Sequence, residues 1–258
     1  MAHEFDGYAY TEASAHQRQW GIRLIDELEL NGTESVLDLG CGDGGMTVRL
    51  AERLPGGHVT GIDASRGMID AAKGNRRPNL AFLRMDIHDL TFSNTFDVIV
   101  SNAALHWVHQ HARLLRNVYK ALKSGGRIRF NFAGDGNCRA FFKVIRRAMT
   151  SPAFAPYFRD FTWPWYMPSV EAYRKLVAAS PLQQARVWGE NADHFFPDVT
   201  ALIRWIDQPG LVPFAACVAA EDRAAFRTQV VEQMVRETRR GDGRCFETFR
   251  RIHLAAVK

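Results

Sequence analysis

From about Ala13 to Leu28 the apolar residues Trp20, Ile22, Leu24, Ile25 and Leu28 recur at helical spacing, which predicts an amphipathic helix closed by Asn31-Gly32. Ser35-Val36-Leu37-Asp38-Leu39 is a short apolar run, followed by a glycine cluster and an amphipathic stretch from Met46 to Leu54. That is strand, turn and helix in order. The unit repeats: strand 59–62 precedes helix 67–73, strand 80–83 follows, strand 96–100 precedes helix 112–122, and strand 127–132 comes after Gly125-Gly126. Strands that alternate with helices imply a parallel, doubly wound α/β sheet, because parallel neighbours need crossover connections.

Beyond Phe132 the alternation stops, and 137–182 is dense in aromatic residues. We read this stretch as a helical cap inserted after the fifth strand of a single domain spanning 1–258. A strand at 184–189, a helix at 199–206, a break at Pro209-Gly210, a long helix at about 220–239 and a strand at 246–257 complete the expected order. The two late strands raise the sheet to seven, mostly parallel.

The chemistry gathers at the predicted strand ends. Gly40, Gly42 and Gly44 follow the first strand at alternate positions, where glycine lets the backbone turn sharply and approach a ligand. The spacing differs from GxGxxG and no Lys-Ser/Thr pair follows, which argues against a nicotinamide site and a phosphate loop. Asp38, just before the turn, would repel a pyrophosphate but accepts from an ammonium group. Asp63 ends the second strand about twenty residues on, where a carboxylate accepts from ribose hydroxyls. Asp86 follows the third strand and suits an exocyclic amine, with Ile87 to pack on a flat base. Cys41 lies within the turn without an activating partner in the sequence, so it reads as a small filler rather than a nucleophile.

These segments, VLDLGCGDG, VTGID, RMDI and FDVIVSNAALHW with the late Gly-Gly, resemble class I S-adenosylmethionine-dependent methyltransferases over the first half of the chain. The resemblance implies a Rossmann-like sheet and S-adenosyl-L-methionine as donor, leaving S-adenosyl-L-homocysteine, with no metal. SNAALHWV, PSVEAY, WIDQPGLVPF and FETFRRIHLAAVK are similar to trans-aconitate methyltransferases, and YTEASAHQRQW to juvenile hormone acid methyltransferase-like enzymes. Both groups methylate a carboxylate oxygen, so a small organic acid is the implied acceptor. By the same resemblance Gln17, Asp38, Gly40, Cys41 and Gly42 lie against the methionine part, Asp63 against the ribose, Asp86 and Ile87 against adenine, and Ala64, Met68 and Asn102 beside the cofactor. Asp43 departs from the Pro or Thr common in relatives, and we expect it to face solvent.

A carboxylate is already ionised near neutral pH, so its methylation needs no strong base. Orientation and exclusion of water supply about 7–11 kcal/mol, more than the roughly 10²–10⁴-fold of acid–base assistance. His106 and Trp107 follow the fourth strand, where ligands of open α/β sheets sit, and are the candidates for acceptor positioning. A packed loop would explain them equally. Trp163, Trp165 and Tyr166 are candidate pocket walls, although aromatics in a cap also form its own core. Arg139, Arg244 and Arg250 are candidate carboxylate clamps against the plainer reading of solvated surface charge. His109 and His111 lack the companions of a metal site and read as surface loop.

Composition adjusts this picture only slightly. A net charge of +5 suits an anionic ligand, and four scattered cysteines suggest neither a disulfide framework nor a zinc site. With neither a signal-like start nor a long apolar run, the expected setting is the cytoplasm. A nucleic-acid methyltransferase would share the core, but it would want a continuous basic stripe or an Asn-Pro-Pro-Tyr-like loop; here the loop is Ser101-Asn102-Ala103-Ala104 and the arginine pairs are dispersed. A carrier-bound acyl acceptor and a non-catalytic nucleoside sensor are further alternatives.

Overall fold

The computed structural model describes residues 4–5 and 15–258. The expected first helix is present as α1 (Ala15–Asp26). Positions 13 and 14 of that prediction, and Tyr10 to Ser14 of the motif quoted above, lie outside the described residues.

The chain continues through β1 (Ser35–Leu39), α2 (Gly45–Glu52), β2 (His58–Asp63), α3 (Arg66–Ala72), β3 (Leu80–Arg84), β4 (Phe96–Asn102), α4 (His111–Ala121) and β5 (Leu122–Ala133). There follow α5 (Arg139–Met149), α6 (Val170–Ala178), β6 (Gln183–Asn191), β7 (His194–Phe196), α7 (Val199–Trp205), α8 (Val212–Ala215), α9 (Arg223–Thr238), β8 (Cys245–Glu247) and β9 (Arg250–Val257). Seven strands form one sheet in the order β3-β2-β1-β4-β5-β9-β6. The first five are parallel, and β9 runs antiparallel to β5.

Alternation along the strands serves two buried faces. Val36, Val59, Val98 and Val100 pack with Leu24 and Ile25 of α1, Leu28 just after it, and Leu50 and Ala51 of α2. Leu37, Leu39, Ile62, Ile99, Ile128, Phe130 and Phe132 point the other way, into a core shared with α4 and α6. The order reverses at β1 and β4, so the turns that leave these two neighbours diverge and open a crevice at their carboxyl ends.

Two compact units are present, one of residues 1–135, 165–190 and 251–258, the other of residues 136–164 and 191–250. The expected cap of 137–182 is therefore redrawn. Its tail returns to the sheet unit, because Tyr173 of α6 is fully buried against His111 and Phe132. The second unit gains the later segment, built on aromatic pairs: Phe141 edge-on to Trp205 (5.8 Å between centroids), Phe154 edge-on to Phe226 (5.0 Å) and Phe161 tilted on Phe214 (5.1 Å). Buried Glu247 accepts from the backbone N–H groups of Ala140 and Phe141 and so caps α5, whose own N-cap residue, Cys138, makes no side-chain cap. The expected strand 246–257 is two strands, since β8 pairs with β7 while β9 joins the large sheet. At Pro209-Gly210 the chain makes a π-helical turn, Ile206–Gly210, rather than a break. Among the described residues no helix is long and apolar enough to cross a membrane.

Candidate active site

The turn after β1 needs its glycines for two reasons. Gly40, Gly42 and Gly44 all have positive φ, at 71°, 55° and 81°. A Cβ on Gly40 would lie 2.2 Å from the Cβ of Ala104, so the turn after β1 and the turn after β4 touch at this point. A Cβ on Gly42 would meet nothing within 4 Å. One side of the turn is thus packed shut and the other faces space. The N–H groups of Gly40 and Cys41 both donate to the Ile62 carbonyl at 2.9 Å, tying the turn to β2.

Three carboxylates surround this turn. Asp38 shares the parity of Val36, so alternation sends it toward α2, where the Thr47 hydroxyl donates to it at 2.8 Å. Burial pushes its pKa up to about 7. Asp63 Oδ2 accepts from Gly42 N–H (3.0 Å) and Oδ1 from Ser65 N–H (2.9 Å), which fixes the carboxylate at the end of β2. Burial raises its pKa too, against the pull of those amides. Asp86 is more open. Burial raises it, but the backbone N–H and imidazole of His88 outweigh that and hold its carboxyl below the usual range.

Asp43 is half-buried rather than solvent-facing, because its Oδ1 accepts from Gly45 N–H at the start of α2. The Cys41 thiol is buried and pushed well above its ordinary pKa by burial and then by Asp38 and Asp63, which leaves it unreactive. Ile87 is buried close to Gly40. Met68 is buried in α3, whose first turn the Ser65 hydroxyl caps.

On the α1 side, Asn102 ends β4 and donates from Nδ2 to the Gln17 carbonyl at 2.9 Å. Asn102 Oδ1 and Gln17 Oε1 are buried with no hydrogen-bond partner among the described residues. Buried carbonyl oxygens are costly to leave unmade, so this pair is built for a donor.

The turn after β4 carries the acceptor candidates. Ala103 has φ of 57°, and its N–H donates to the Asn131 carbonyl at 2.7 Å, which turns the chain into the 3-10 segment Leu105–Trp107. His106 Nδ1 is buried and without a hydrogen-bond partner among the described residues. Burial, then the positive charge of Arg251, then His111, lower its pKa to about 3. The imidazole is neutral at physiological pH. Trp107 packs edge-on against Trp165 (5.3 Å) and Phe5 (5.5 Å), and Tyr166 N–H donates to the His106 carbonyl at 2.8 Å.

Glu4 and Phe5 also reach α3. Glu4 accepts from the N–H of Arg66 at 3.0 Å, and a Cβ on Gly67 would fall 2.2 Å from the Phe5 carbonyl oxygen. Sequence reasoning had no pattern with which to find this contact.

His106, Trp107, Trp165 and Tyr166 are thus brought together. Arg139, Trp163 and Arg244 belong to the second unit. There Arg139 is exposed, Trp163 packs on Phe142 and Phe214, and Arg244 is paired with Asp242 and lies over Phe195. Arg250, in the same unit, is held by Asp193. His109 is exposed as expected, but His111 is buried, its ring nitrogens facing the Tyr173 hydroxyl (3.0 Å) and the Leu105 carbonyl (2.9 Å). It is a structural pin at the start of α4. Among the described residues no group of three or more His, Cys, Asp or Glu is placed to hold a metal.

Residues 36–126 match the family described as a methyltransferase domain. Solved structures share the fold: the YcgJ protein of Bacillus subtilis superposes with a TM-score of 0.63 at 17% identity, over 93% of this chain and 98% of that one. Haemonchus contortus phosphoethanolamine N-methyltransferase 2 in complex with S-adenosyl-L-methionine gives 0.61 at 19% identity, over 98% of this chain and 56% of that one. Sheet order, glycine turn and strand-end acids belong to an S-adenosylmethionine-dependent methyltransferase.

Sequence relatives narrow the class. The trans-aconitate 2-methyltransferase of Rhodococcus jostii is 30% identical over 263 residues, covering 98% of both chains. That of Acidovorax ebreus is 28% identical over 259 residues, covering 99% of both. The chain belongs to the trans-aconitate 2-methyltransferase family.

Proposed function

We propose that the protein methylates a carboxylate oxygen of a small organic acid of the trans-aconitate kind. The observation that carries this reading is His106, in the turn after β4, whose Nδ1 is shut off from solvent without a hydrogen-bond partner among the described residues and whose pKa, lowered to about 3, makes it a poor proton acceptor. A site for an alcohol or amine would want a base poised near the working pH, whereas a carboxylate arrives ionised. Full-length similarity to trans-aconitate 2-methyltransferases supports the same acceptor class.

The residues present fit the cofactor. Asp63 accepts from the ribose hydroxyls, Asp38 with Gln17 Oε1 and Asn102 Oδ1 accepts from the ammonium, and Asp86 and Ile87 take the adenine. Gly40, Cys41 and Gly42 give a main chain that a ligand can approach closely, with Ala64 and Met68 beside the ribose. When bound, S-adenosylmethionine supplies an electrophilic methyl group on a sulfonium. The protein's work is to orient the acid, with His106 and Trp107 at the turn after β4 and Trp165 and Tyr166 as walls, and to keep water out.

Two results are expected. First, cofactor affinity rises with pH. Asp38, with a pKa of about 7 before the ammonium binds, is mostly protonated at pH 6 and mostly ionised at pH 8. Only the ionised form attracts the ammonium, so binding at pH 6 is about tenfold weaker than at pH 8 and releases a proton. Calorimetry in two buffers of different ionisation heat reads that proton. A pH-independent affinity with no proton release would remove Asp38 from the ammonium site. Second, His106→Ala lowers turnover about tenfold while the cofactor dissociation constant stays within about twofold, the loss of one oriented hydrogen bond. Equal losses in both would mean that His106 serves the donor.

The direct test is incubation with methyl-labelled S-adenosylmethionine and a mixture of organic acids, followed by mass spectrometry for a methyl ester. Tight cofactor binding without an ester from any acid would refute the proposal.

A further inference from the structure

Asp86 stands two residues past the end of β3, and the next residues clamp one edge of its carboxylate. The backbone there is extended (φ −75°, ψ 136°) and passes at once into the 3-10 turn Ile87–Asp89, closed by the Asp89 N–H on the Asp86 carbonyl at 2.9 Å. Asp86 Oδ1 then accepts twice from a single residue, from the His88 backbone N–H at 2.9 Å and from His88 Nδ1 at 2.8 Å. Both bonds fall on Oδ1, and among the described residues none falls on Oδ2. The carboxyl lies below its usual range, so it is ionised and only accepts, and His88 Nδ1 carries the hydrogen.

The turn is itself fastened on both sides. Asn117 Nδ2 of α4 donates to the His88 carbonyl at 3.4 Å, and buried Ile87 reaches toward Gly40, where an added Cβ would lie 3.8 Å from Ile87 Cδ1. The last torsion of an aspartate is soft, so one N–H alone would leave the carboxylate plane free to swing. Two donors that converge on Oδ1 from backbone and ring fix that plane and the direction in which Oδ2 is offered. A carboxylate oxygen held in place accepts from an amine but repels a carbonyl, and a site left with an unpaired group rejects the wrong ligand strongly.

We propose that His88 is a positioning residue for the donor: by holding Asp86 it makes the site select a 6-amino purine over a 6-oxo purine. The proposal rests on the adenine reading of Asp86 above. His88 does not touch the purine in this account; it acts through the acid.

The test is the calorimetric affinity of the full chain for S-adenosylhomocysteine and for its 6-oxo counterpart, S-inosylhomocysteine, with thermal midpoints recorded for each variant. Both ligands carry the same ammonium and ribose, so the contributions of Asp38 and Asp63 cancel in the ratio. The wild-type protein prefers the 6-amino ligand at least tenfold. His88→Ala brings that preference within about threefold, chiefly by weakening the 6-amino ligand. His88→Asn, whose amide nitrogen branches from Cγ as Nδ1 does, restores it, which a loss of general packing would not explain. Asp86→Asn, offering both a donor and an acceptor, brings the ratio close to one. A preference that survives His88→Ala, or that His88→Asn fails to restore, while Asp86→Asn abolishes it, would overturn the role of His88 and leave the adenine at Asp86. A ratio that Asp86→Asn does not move, or no preference in the wild-type protein, would take the adenine away from Asp86 and the inference with it.

Discussion

Gly40→Ala is expected to lower the unfolding free energy by about 2–5 kcal/mol, read as an earlier midpoint in urea at an unchanged slope. Two costs combine. A Cβ at φ of 71° costs about 1–2 kcal/mol in left-handed backbone. Forcing that atom against the Cβ of Ala104, at 2.2 Å, adds an overpacking cost of about 1–3 kcal/mol, because the two turns must separate. Gly42→Ala is the internal control. It shares the positive φ but meets open space, so it costs only about 1–2 kcal/mol of stability while its methyl group intrudes on the ligand side of the turn. If both variants melt alike, the two turns are not in contact and the crevice is built differently.

The second large effect is at the end of β2. Asp63→Ala weakens S-adenosylmethionine binding by about 1–3 kcal/mol, roughly 5–150-fold, as expected for removing a buried charged acceptor. The carboxylate also holds the amides of Gly42 and Ser65, so Ala leaves two backbone donors unmet and lowers the melting temperature as well. Asp63→Asn keeps the size but only one of the two acceptor oxygens, so either the Gly42 or the Ser65 N–H is left facing an amide NH2, and both affinity and melting temperature fall. Calorimetric titration of both variants checks this, and an affinity unchanged in Asp63→Ala would mean that the ribose lies elsewhere.

The residues proposed for the donor side were legible before the structure. Gly40, Asp63 and Asp86 are short-range features, each at or within two residues of a strand end, and strand ends are marked locally by the change from a period of two to a glycine or an acid. The acceptor side was legible only in part. His106 and Trp107 lie beside the donor side because β4 neighbours β1, and Tyr166 joins them through one backbone hydrogen bond to His106. Arg251, whose charge acts on His106, was passed over for a physical reason. The alternation of Arg251 and His253 with Ile252 and Leu254 resembles a strand with one wet face, and nothing local reveals that α1 and Trp20 cover it.

The aromatic residues after Phe132 make the same point about boundaries. From composition they form one cap, yet Trp163 packs within the second unit while Trp165 and Tyr166 line the sheet unit beside His106. By itself the sequence determined the first five strands, the helices that alternate with them and the acids at the strand ends, since each follows from side-chain periodicity and turn chemistry over a few residues. The tertiary structure alone decided which arginines are buried, Arg129 and Arg251, which aromatics meet His106 and which strand β9 pairs with. Those depend on contacts between residues far apart in the chain, such as Tyr166 with His106 and Arg251 with Asn131, and no local pattern encodes them.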